Sequence, residues 1–245
     1  MKILFLDIET SPNIAYVWGL FKENIPLARL KESSYTLCWA AKWYGEDKVH
    51  FSSTYHDRPK TMLRKIHKLL DEADMVVHYY GSRFDIPTLN KEFLLHGLTP
   101  PAPYKQVDLC TVVRRKFKFV SNKLDYVAGK LGLGKKHDTD FMLWVRCMEN
   151  DKAAWEQMEA YNVQDVVLLE KVYEKLLPWI KGHANLSNAS EAPCCPNCGS
   201  LKNQKRGYYY SATLRYQRHR CNSCGNWFRS READKDHKGR YVNIG

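Results

Sequence analysis

The order of apolar and polar positions in the first part of the chain predicts three successive β-strands. The runs "MKILFLDIET", "YTLCWAAKWY" and "KVHFSST" are short, rich in apolar and β-branched residues, and bounded by polar or glycine-containing segments. We therefore predict that the chain opens with a meander of three strands.

The period of the apolar positions then changes from that of strands to that of helices. Residues 58–73, "RPKTMLRKIHKLLDEA", carry apolar side chains at the spacing of an amphipathic helix. The runs "MVVHYY" and "YKQVDLC" return to strand, a second helix is predicted to begin near Asp85, and residues 124–180 are mostly helical in pattern. This order predicts an α/β fold, a mixed five-stranded sheet with helices on its faces.

The apolar period is lost between residues 179 and 193, where "WIKGHANLSNASEAP" has the composition of a linker. We place a domain boundary near Gly182. The predicted division is a larger domain over 1–182, a linker over 183–192, a small cysteine-rich domain over 193–232 and a tail over 233–245.

Charge is distributed unevenly between these segments. The 245 residues carry a formal net charge of +11, and residues 183–245 contain eleven Lys/Arg against four Asp/Glu, a net +7 that leaves +4 for the rest. The hydrophobic fraction of 44% argues against a disordered chain. We see no secretory signal and no run long enough to span a membrane, so we expect a cytoplasmic protein without a membrane partner.

Two carboxylates interrupt the apolar first strand. Asp7 and Glu9 are two residues apart, so they project from the same face if "FLDIE" is extended. Paired carboxylates suit hard divalent cations such as Mg²⁺. The alternative is that Glu9 has left the sheet and Asp7 caps the following turn.

Two further stretches contain candidate ligands. Asp85 precedes a helix with Pro87 in its first turn, and the alternative is that it serves as an N-cap. Tyr161 and Asp165 are four residues apart on a predicted helix and share its apolar face. The alternative for Asp165 is an aspartate tolerated at the margin of the buried side.

In this order the three stretches resemble the motifs of the DEDDy group of 3′–5′ exonucleases: D-x-E at 7–9, F-D at 84–85 and Y-x-x-x-D at 161–165. The resemblance covers most of residues 1–180 and implies a ribonuclease H-like fold. With "LDIETSP" and the C-terminal cysteines, the chain is most similar to exonuclease subunits of phage DNA polymerases. The resemblance implies hydrolysis of phosphodiester bonds at a single-stranded or frayed 3′ end, with DNA as the expected substrate, phage replication or proofreading as the setting and a separate polymerase chain as a partner.

The resemblance also implies a role for each motif residue. Asp7, Glu9 and Asp165 would hold one Mg²⁺ or Mn²⁺ ion, Asp7 would bridge to a second, and Asp85 would support that second ion. Two ions can stabilise the attacking and the leaving oxygen of a phosphodiester. Tyr161 would orient the water, since a tyrosine hydroxyl with an ordinary pKa near ~10 is a poor base at neutral pH.

One departure from the family pattern concerns the second motif. Many members have an Asn a few residues before the motif Asp, whereas this chain has Tyr79, Tyr80 and Gly81 there. Substrate contacts of that Asn are not carried over. His137, in "GKKHDTD", is interpreted as part of a solvated loop without a catalytic role.

Five of the eight cysteines fall in one short stretch. Cys195 and Cys198 form one C-x-x-C pair, Cys221 and Cys224 another, and each pair is followed by Gly. Two such pairs predict a structural Zn²⁺ held by four thiolates, and the segment resembles a zinc ribbon. A register in which Cys194 replaces Cys195 stays open.

The segment between the two pairs is predicted to form a hairpin that binds nucleic acid. Tyrosines alternate with cations there, a composition that suits stacked bases and paired phosphates. The alternative is a solvated basic hairpin. The candidate residues are Lys205, Arg206, Tyr209, Arg215, Tyr216, Arg218 and Arg220.

Two other functions remain open from the sequence. One is an exoribonuclease, because single-stranded ends of DNA and RNA are alike to a two-metal site. The other is a non-catalytic protein that binds nucleic acid or a polymerase on a nuclease fold.

Overall fold

The chain folds into two compact units, one of residues Lys2–Val172 and one that begins at Tyr173. The computed structural model describes residues 1–134 and 139–235. His137 and residues 236–245 of the predicted tail lie outside the described residues. No helix in the described ranges has the length and apolar character needed to cross a membrane.

The larger unit is built on the strands and helices that the periodicity predicts, with a short hairpin and one further helix, α3, added. Its strands are β1 (Ile3–Thr10), β2 (Ile14–Ala15), β3 (Leu30–Glu32), β4 (Thr36–Trp43), β5 (Val49–Ser53), β6 (Met75–His78) and β7 (Lys105–Asp108). Its helices are α1 (Pro59–Glu72), α2 (Asp85–Leu95), α3 (Leu109–Lys116), α4 (Leu124–Lys130), α5 (Met142–Met148) and α6 (Lys152–Leu176), the last of which ends in the second unit.

Five of these strands form one mixed sheet in the order β5-β4-β1-β6-β7. The meander pairs β1 with β4 and β4 with β5 in antiparallel fashion, whereas β6 joins β1, and β7 joins β6, in parallel. Parallel neighbours need a crossover connection, and α1 and α2 lie in those crossovers. The predicted mixed five-stranded sheet with flanking helices is confirmed.

The two faces of the sheet are covered by different helices. Leu4, Leu6 and Ile8 of β1 belong to a buried cluster with residues of α1 and α2. Cys38 of β4 belongs to a second cluster that includes residues of α5 and α6, among them Trp155. Because side chains alternate along a strand, Asp7 and Glu9 project from the face opposite to Ile8. Both carboxylates thus lie on the side of the sheet that α5 and α6 cover.

The connection between β1 and β4, for which the sequence predicted no element, contains the hairpin β2-β3. The segment inside this hairpin exposes large apolar side chains, among them Trp18 at 92% and Phe21 at 88%. Glu23 links the two ends of this segment, since it forms an ion pair with Arg29 and accepts a hydrogen bond from Gly19 N at 2.9 Å. That backbone hydrogen bond, followed by the Arg29 charge, lowers the pKa of Glu23.

The second unit is a three-stranded antiparallel sheet in the order β10-β9-β8, with β8 (Asn203–Tyr210), β9 (Arg215–Cys221) and β10 (Trp227–Arg229). The predicted hairpin between the cysteine pairs is β8-β9. The end of α6 belongs to this unit because Tyr173 hydrogen-bonds His183 at 2.6 Å and Asn197 donates to Leu177 O at 2.9 Å. The domain boundary placed near Gly182 stays a prediction.

Candidate active site and cysteine centre

Three of the four predicted acidic ligands meet on one face of the sheet. Asp7 and Glu9 come from β1, where they lie opposite Ala40 and Cys38 of β4. Asp165 comes from α6 and is 1% exposed. One carboxylate oxygen of each residue lies within 4.8 Å of one from each of the other two. Three carboxylates so close together repel one another, and a shared divalent cation would offset that repulsion.

Two neutral side chains hold the carboxylates of β1 in place. Asn162 Nδ2 donates to Asp7 Oδ2 at 2.7 Å, and Trp144 Nε1 donates to Glu9 Oε2 at 3.0 Å. Each hydrogen bond uses one oxygen of the carboxylate and thereby orients the group. Ligands oriented in this way bind a cation with less loss of side-chain freedom.

Sequence reasoning missed both of these donors. Asn162 directly follows Tyr161 in the sequence and is fully buried in the structure. An amide side chain on the apolar face of the helix was a sequence signal that could have identified it. Trp144 lies in α5, and no sequence signal connects it to Glu9. Its contact depends on how α5 packs.

Asp85 lies beside the three-carboxylate cluster without being part of it. It is the first residue of α2 and is 4% exposed. Its Oδ1 accepts a hydrogen bond from Ile8 N at 3.2 Å, so it is bound to β1 between Asp7 and Glu9. Burial raises the pKa of Asp85 well above its ordinary value, and the charge of Asp7 adds to that shift. A cation shared with Asp7 would favour the ionised form instead. The N-cap of α2 is Phe84, so Asp85 does not serve as the cap.

Tyr161 lies at the edge of the site. Its ring is in edge-to-face contact with Trp144, with centroids 5.9 Å apart. Together with Asp7 it lines an open cavity of about 420 Å³. The other residues that line this cavity are Tyr79, Tyr80, Cys110, Arg114, Asn122, Lys123, Leu124 and Asp125.

The turn after β6 brings Tyr80 into this cavity in a strained conformation. Tyr80 has φ +69°, a left-handed conformation that is uncommon for a tyrosine. Its backbone N donates to Asp108 Oδ1 at 3.0 Å, and the guanidinium of Arg114 lies 5.1 Å from the ring centroid. Asp108 is the N-cap of α3 and also accepts a hydrogen bond from Thr111 N.

The four predicted zinc ligands form a second cluster. The Sγ atoms of Cys195, Cys198, Cys221 and Cys224 all lie within 4.8 Å of one another, with Cys195 to Cys224 at 3.7 Å and Cys198 to Cys221 at 3.6 Å. A tetrahedron with Zn–S bonds of about 2.3 Å has sulfur atoms about 3.8 Å apart. Cys194 is buried outside this cluster. The arrangement is consistent with a zinc ribbon.

The glycine after each cysteine pair closes the turn that brings the thiols together. Gly199 has φ +70° and Gly225 has φ +79°, a region that residues with a Cβ rarely adopt. Gly199 N donates to Cys195 O at 2.9 Å and Gly225 N to Cys221 O at 3.1 Å. The two turns are therefore equivalent knuckles.

Similarity to a known family defines the class of protein. Residues 4–177 match the model of the RNase_H superfamily, and this chain belongs to that superfamily.

A solved structure has the same fold over most of the chain. The family B DNA polymerase from the hyperthermophilic archaeon Pyrobaculum calidifontis is similar with a TM-score of 0.53 and 21% identity, over 72% of this chain. The match spans 24% of the polymerase, so this chain corresponds to about a quarter of that protein. A search of curated proteins found no match.

Proposed function

We propose that this protein is a metal-dependent 3′–5′ exonuclease that acts on single-stranded or frayed ends of DNA. The observation that carries the proposal is the cluster of Asp7, Glu9 and Asp165, with Tyr161 at its edge and an open cavity beside it. The 3′–5′ direction comes from the resemblance to the DEDDy motifs. The likeness to part of a DNA polymerase supports DNA as the substrate and a replicative setting, with a separate polymerase chain as partner.

The donor set fits divalent metal. Asp7, Glu9 and Asp165 offer only carboxylate oxygens, the ligands that Mg²⁺ and Mn²⁺ favour. Asp7 and Asp85 would hold a second ion, a role that the resemblance to the DEDDy motifs implies and that the hydrogen bond of Asp85 to Ile8 N, next to Asp7, supports. When bound, such ions lower the pKa of water and stabilise the charge that develops on a phosphodiester.

The protein's own groups orient the reactants. Asn162 and Trp144 orient the Asp7 and Glu9 carboxylates by one hydrogen bond each. The Tyr161 hydroxyl would orient the attacking water by a hydrogen bond. Arg114 and Lys123, which line the cavity, would bind the phosphates of the terminal nucleotides, and the Tyr80 ring offers a surface for a base.

The experiment is a gel time course with 5′- and 3′-labelled single- and double-stranded oligonucleotides, with and without Mg²⁺ or Mn²⁺. We expect shortening from the 3′ end that requires metal. Asp165→Asn should lose about 100-fold or more in rate, because metal stabilisation of this transition state is worth several kcal/mol. Asp47→Asn, an exposed residue between β4 and β5, is the matched control and should be unaffected.

Each alternative function has a distinct outcome in this assay. Faster digestion of a matched RNA oligonucleotide would replace DNA by RNA as the substrate. Shortening from the 5′ end would contradict the direction. An intact protein that binds the oligonucleotides and digests none of them with either metal would contradict the enzyme and favour a binding protein.

A further inference from the structure

The strands of the second unit present two unlike faces. Residues of β9 alternate between them, and the pairing of Arg220 with Trp227 and of Tyr216 with Tyr209 assigns the neighbours in β10 and β8 to the same face. We call this face the arginine–aromatic face. Its members are Gln204, Tyr209, Tyr216, Arg218, Arg220, Trp227 and Arg229.

Guanidinium groups and rings are stacked in alternation across this face. The guanidinium of Arg229 lies 3.9 Å from the ring centroid of Tyr216 and 5.4 Å from that of Tyr209. The guanidinium of Arg218 lies 5.0 Å from the Trp227 ring. Stacking fixes the long arginine side chains, so less conformational entropy is lost when they bind a ligand.

The planar groups of this face remain open to solvent. Trp227 is 52% exposed and Tyr209 is 49% exposed. Arg218, Arg220 and Arg229 are also exposed. The three strands contain no Asp or Glu, so every charged side chain on the face is positive.

Part of the opposite face is occupied by contacts within the protein. Arg215 pairs with Asp234 at 2.6 Å and lies over the Tyr208 ring at 4.0 Å. His219 stacks on Phe228 with the rings 5.3 Å apart, and both are half-buried. The seven residues predicted to bind nucleic acid are therefore divided: Arg215 and Lys205 lie on this face, and Arg206 lies in the β-bulge between Lys205 and Tyr208.

We infer that single-stranded nucleic acid binds across the arginine–aromatic face, with Trp227 and Arg229 as contacts beyond the seven residues predicted from the sequence. The positive charge of the face complements phosphates, and its exposed planar groups complement unstacked bases. Arg220 pairs with a phosphate, and bases stack on Trp227 and on the guanidinium of Arg229. Double-stranded nucleic acid offers phosphates to such a face but no free base surface. The inference rests on the proposed function in one respect: the bound single-stranded nucleic acid is identified as the substrate of the exonuclease.

The test is equilibrium binding of the full-length, zinc-loaded chain to a fluorescent oligothymidylate of about 16 nucleotides, the upper end of common single-strand sites. Binding is measured without added Mg²⁺ or Mn²⁺, so that it is separate from hydrolysis. Trp227→Ala is compared with Tyr210→Ala, since Tyr210 is 67% exposed on the opposite face. We expect Trp227→Ala to weaken binding by about 5- to 150-fold, the equivalent of 1–3 kcal/mol per stacked base, and Tyr210→Ala to leave it unchanged.

A second pair isolates the charge. Arg220→Ala and Lys205→Ala each remove one exposed positive charge, from opposite faces. We expect Arg220→Ala alone to reduce the slope of log K against log salt by about 0.7, the value for one phosphate contact on a single strand. Equal effects of the two variants in either pair would overturn the inference, as would tighter binding of a duplex. If a matched RNA oligonucleotide binds as tightly as the DNA, the result supports a site for single strands that accepts both ribose and deoxyribose.

Controls keep this inference distinct from the proposed function. Zinc content and thermal unfolding confirm that each variant is folded. Asp7→Asn should abolish hydrolysis and retain the binding that Trp227→Ala weakens. If the protein digests oligonucleotides but Trp227→Ala and Arg220→Ala bind them normally, the inference about the arginine–aromatic face is refuted and the proposed function stands. If binding depends on that face but the protein digests no oligonucleotide, the proposed function is refuted and the inference about the face stands.

Discussion

Residues 7 to 9 serve the core and the candidate site at once. The side chain of Ile8 is 3% exposed in the cluster with α1 and α2, whereas its backbone N donates to Asp85. Asp7 and Glu9 face the other way, toward Asn162 and Trp144. The alternation of a strand therefore places the carboxylates on a rigid element whose position is fixed by burial of the intervening apolar residue.

The hydrogen bond from Trp144 to Glu9 predicts a positioning role. Trp144→Phe keeps an aromatic ring against Tyr161 and removes the donor. We expect the Mn²⁺ concentration for half-maximal activity to rise by about 10- to 100-fold, the usual effect of losing such an outer contact. The measurement is a metal titration of the initial rate.

Trp155→Phe is the matched control for that variant. Trp155 is buried, and its Nε1 has no hydrogen-bond acceptor among the described residues. The metal titration of this variant should match the wild type. Equal shifts in both variants would mean that Trp144 acts through packing alone.

Gly81 is predicted to be required by the turn that carries Tyr80. A Cβ at this position would lie 2.5 Å from His78 Cγ and 2.8 Å from His78 Cβ. Because His78 is fully buried, it has little room to move, and Gly81→Ala should destabilise the protein by about 1–3 kcal/mol. The measurement is urea denaturation.

Gly129→Ala in α4 is the opposite control. A Cβ there has no heavy atom within 4 Å, and alanine favours the helix, so this variant should gain up to about 1 kcal/mol. If Gly81→Ala were as stable as the wild type, His78 would have to be free to shift.

At the scale of elements, the candidate site is built mainly from β1 and α6. Tyr161 and Asp165 are separated by one turn, and Asn162 and Asp165 by three residues, so one stripe of the helix presents all three. Glu170, further along α6, pairs with Lys42 of β4 and accepts from Gly45 N at 3.2 Å. This pair anchors the helix to the meander and thereby fixes Asp165 relative to β1.

The Lys42–Glu170 pair predicts a non-additive effect on stability. The two side chains are 9% and 14% exposed, so Glu170→Leu leaves a largely buried ammonium without its partner and should cost about 3–5 kcal/mol. Lys42→Met combined with Glu170→Leu should recover most of that loss, because two apolar side chains replace the pair. Urea denaturation of the three proteins checks this, and a double variant no more stable than the single one would contradict it.

At the scale of the whole molecule, the two units are stabilised in different ways. The larger unit has two buried clusters against its sheet, whereas the strands of the second unit are mostly half-buried or exposed. A unit with so small a core commonly depends on metal for its folding. The four-cysteine cluster supplies ligands for that metal.

The cysteine cluster predicts one bound Zn²⁺ per chain and identifies its ligands. Cys195→Ser should release the zinc and remove amide protection from β8 and β9, while β1 and β4 keep theirs. Cys194→Ser removes the adjacent thiol and should retain both the zinc and the protection. Zinc content and hydrogen exchange check this, and loss of zinc from Cys194→Ser would shift the ligand register by one residue.

The sequence alone determined the elements and the ligand types. Apolar periodicity located the five strands of the sheet and the helices α1 and α2, because the burial of one face dictates the spacing of apolar residues. The short hairpin β2-β3 was not predicted, since its exposed apolar tip has no such spacing. The motif order pointed to the acidic residues, and the C-x-x-C spacing pointed to the four thiols.

Only the tertiary structure decided which side chains meet. Trp144 reaches Glu9 across the packing of α5 on the sheet, and Asp85 reaches Ile8 N because α2 begins beside β1. Strand register, which a sequence does not state, brought Trp227 beside Arg218 and Tyr209 beside Tyr216. Contacts between residues distant along the chain depend on register and helix packing, and these are fixed only when the whole core is assembled.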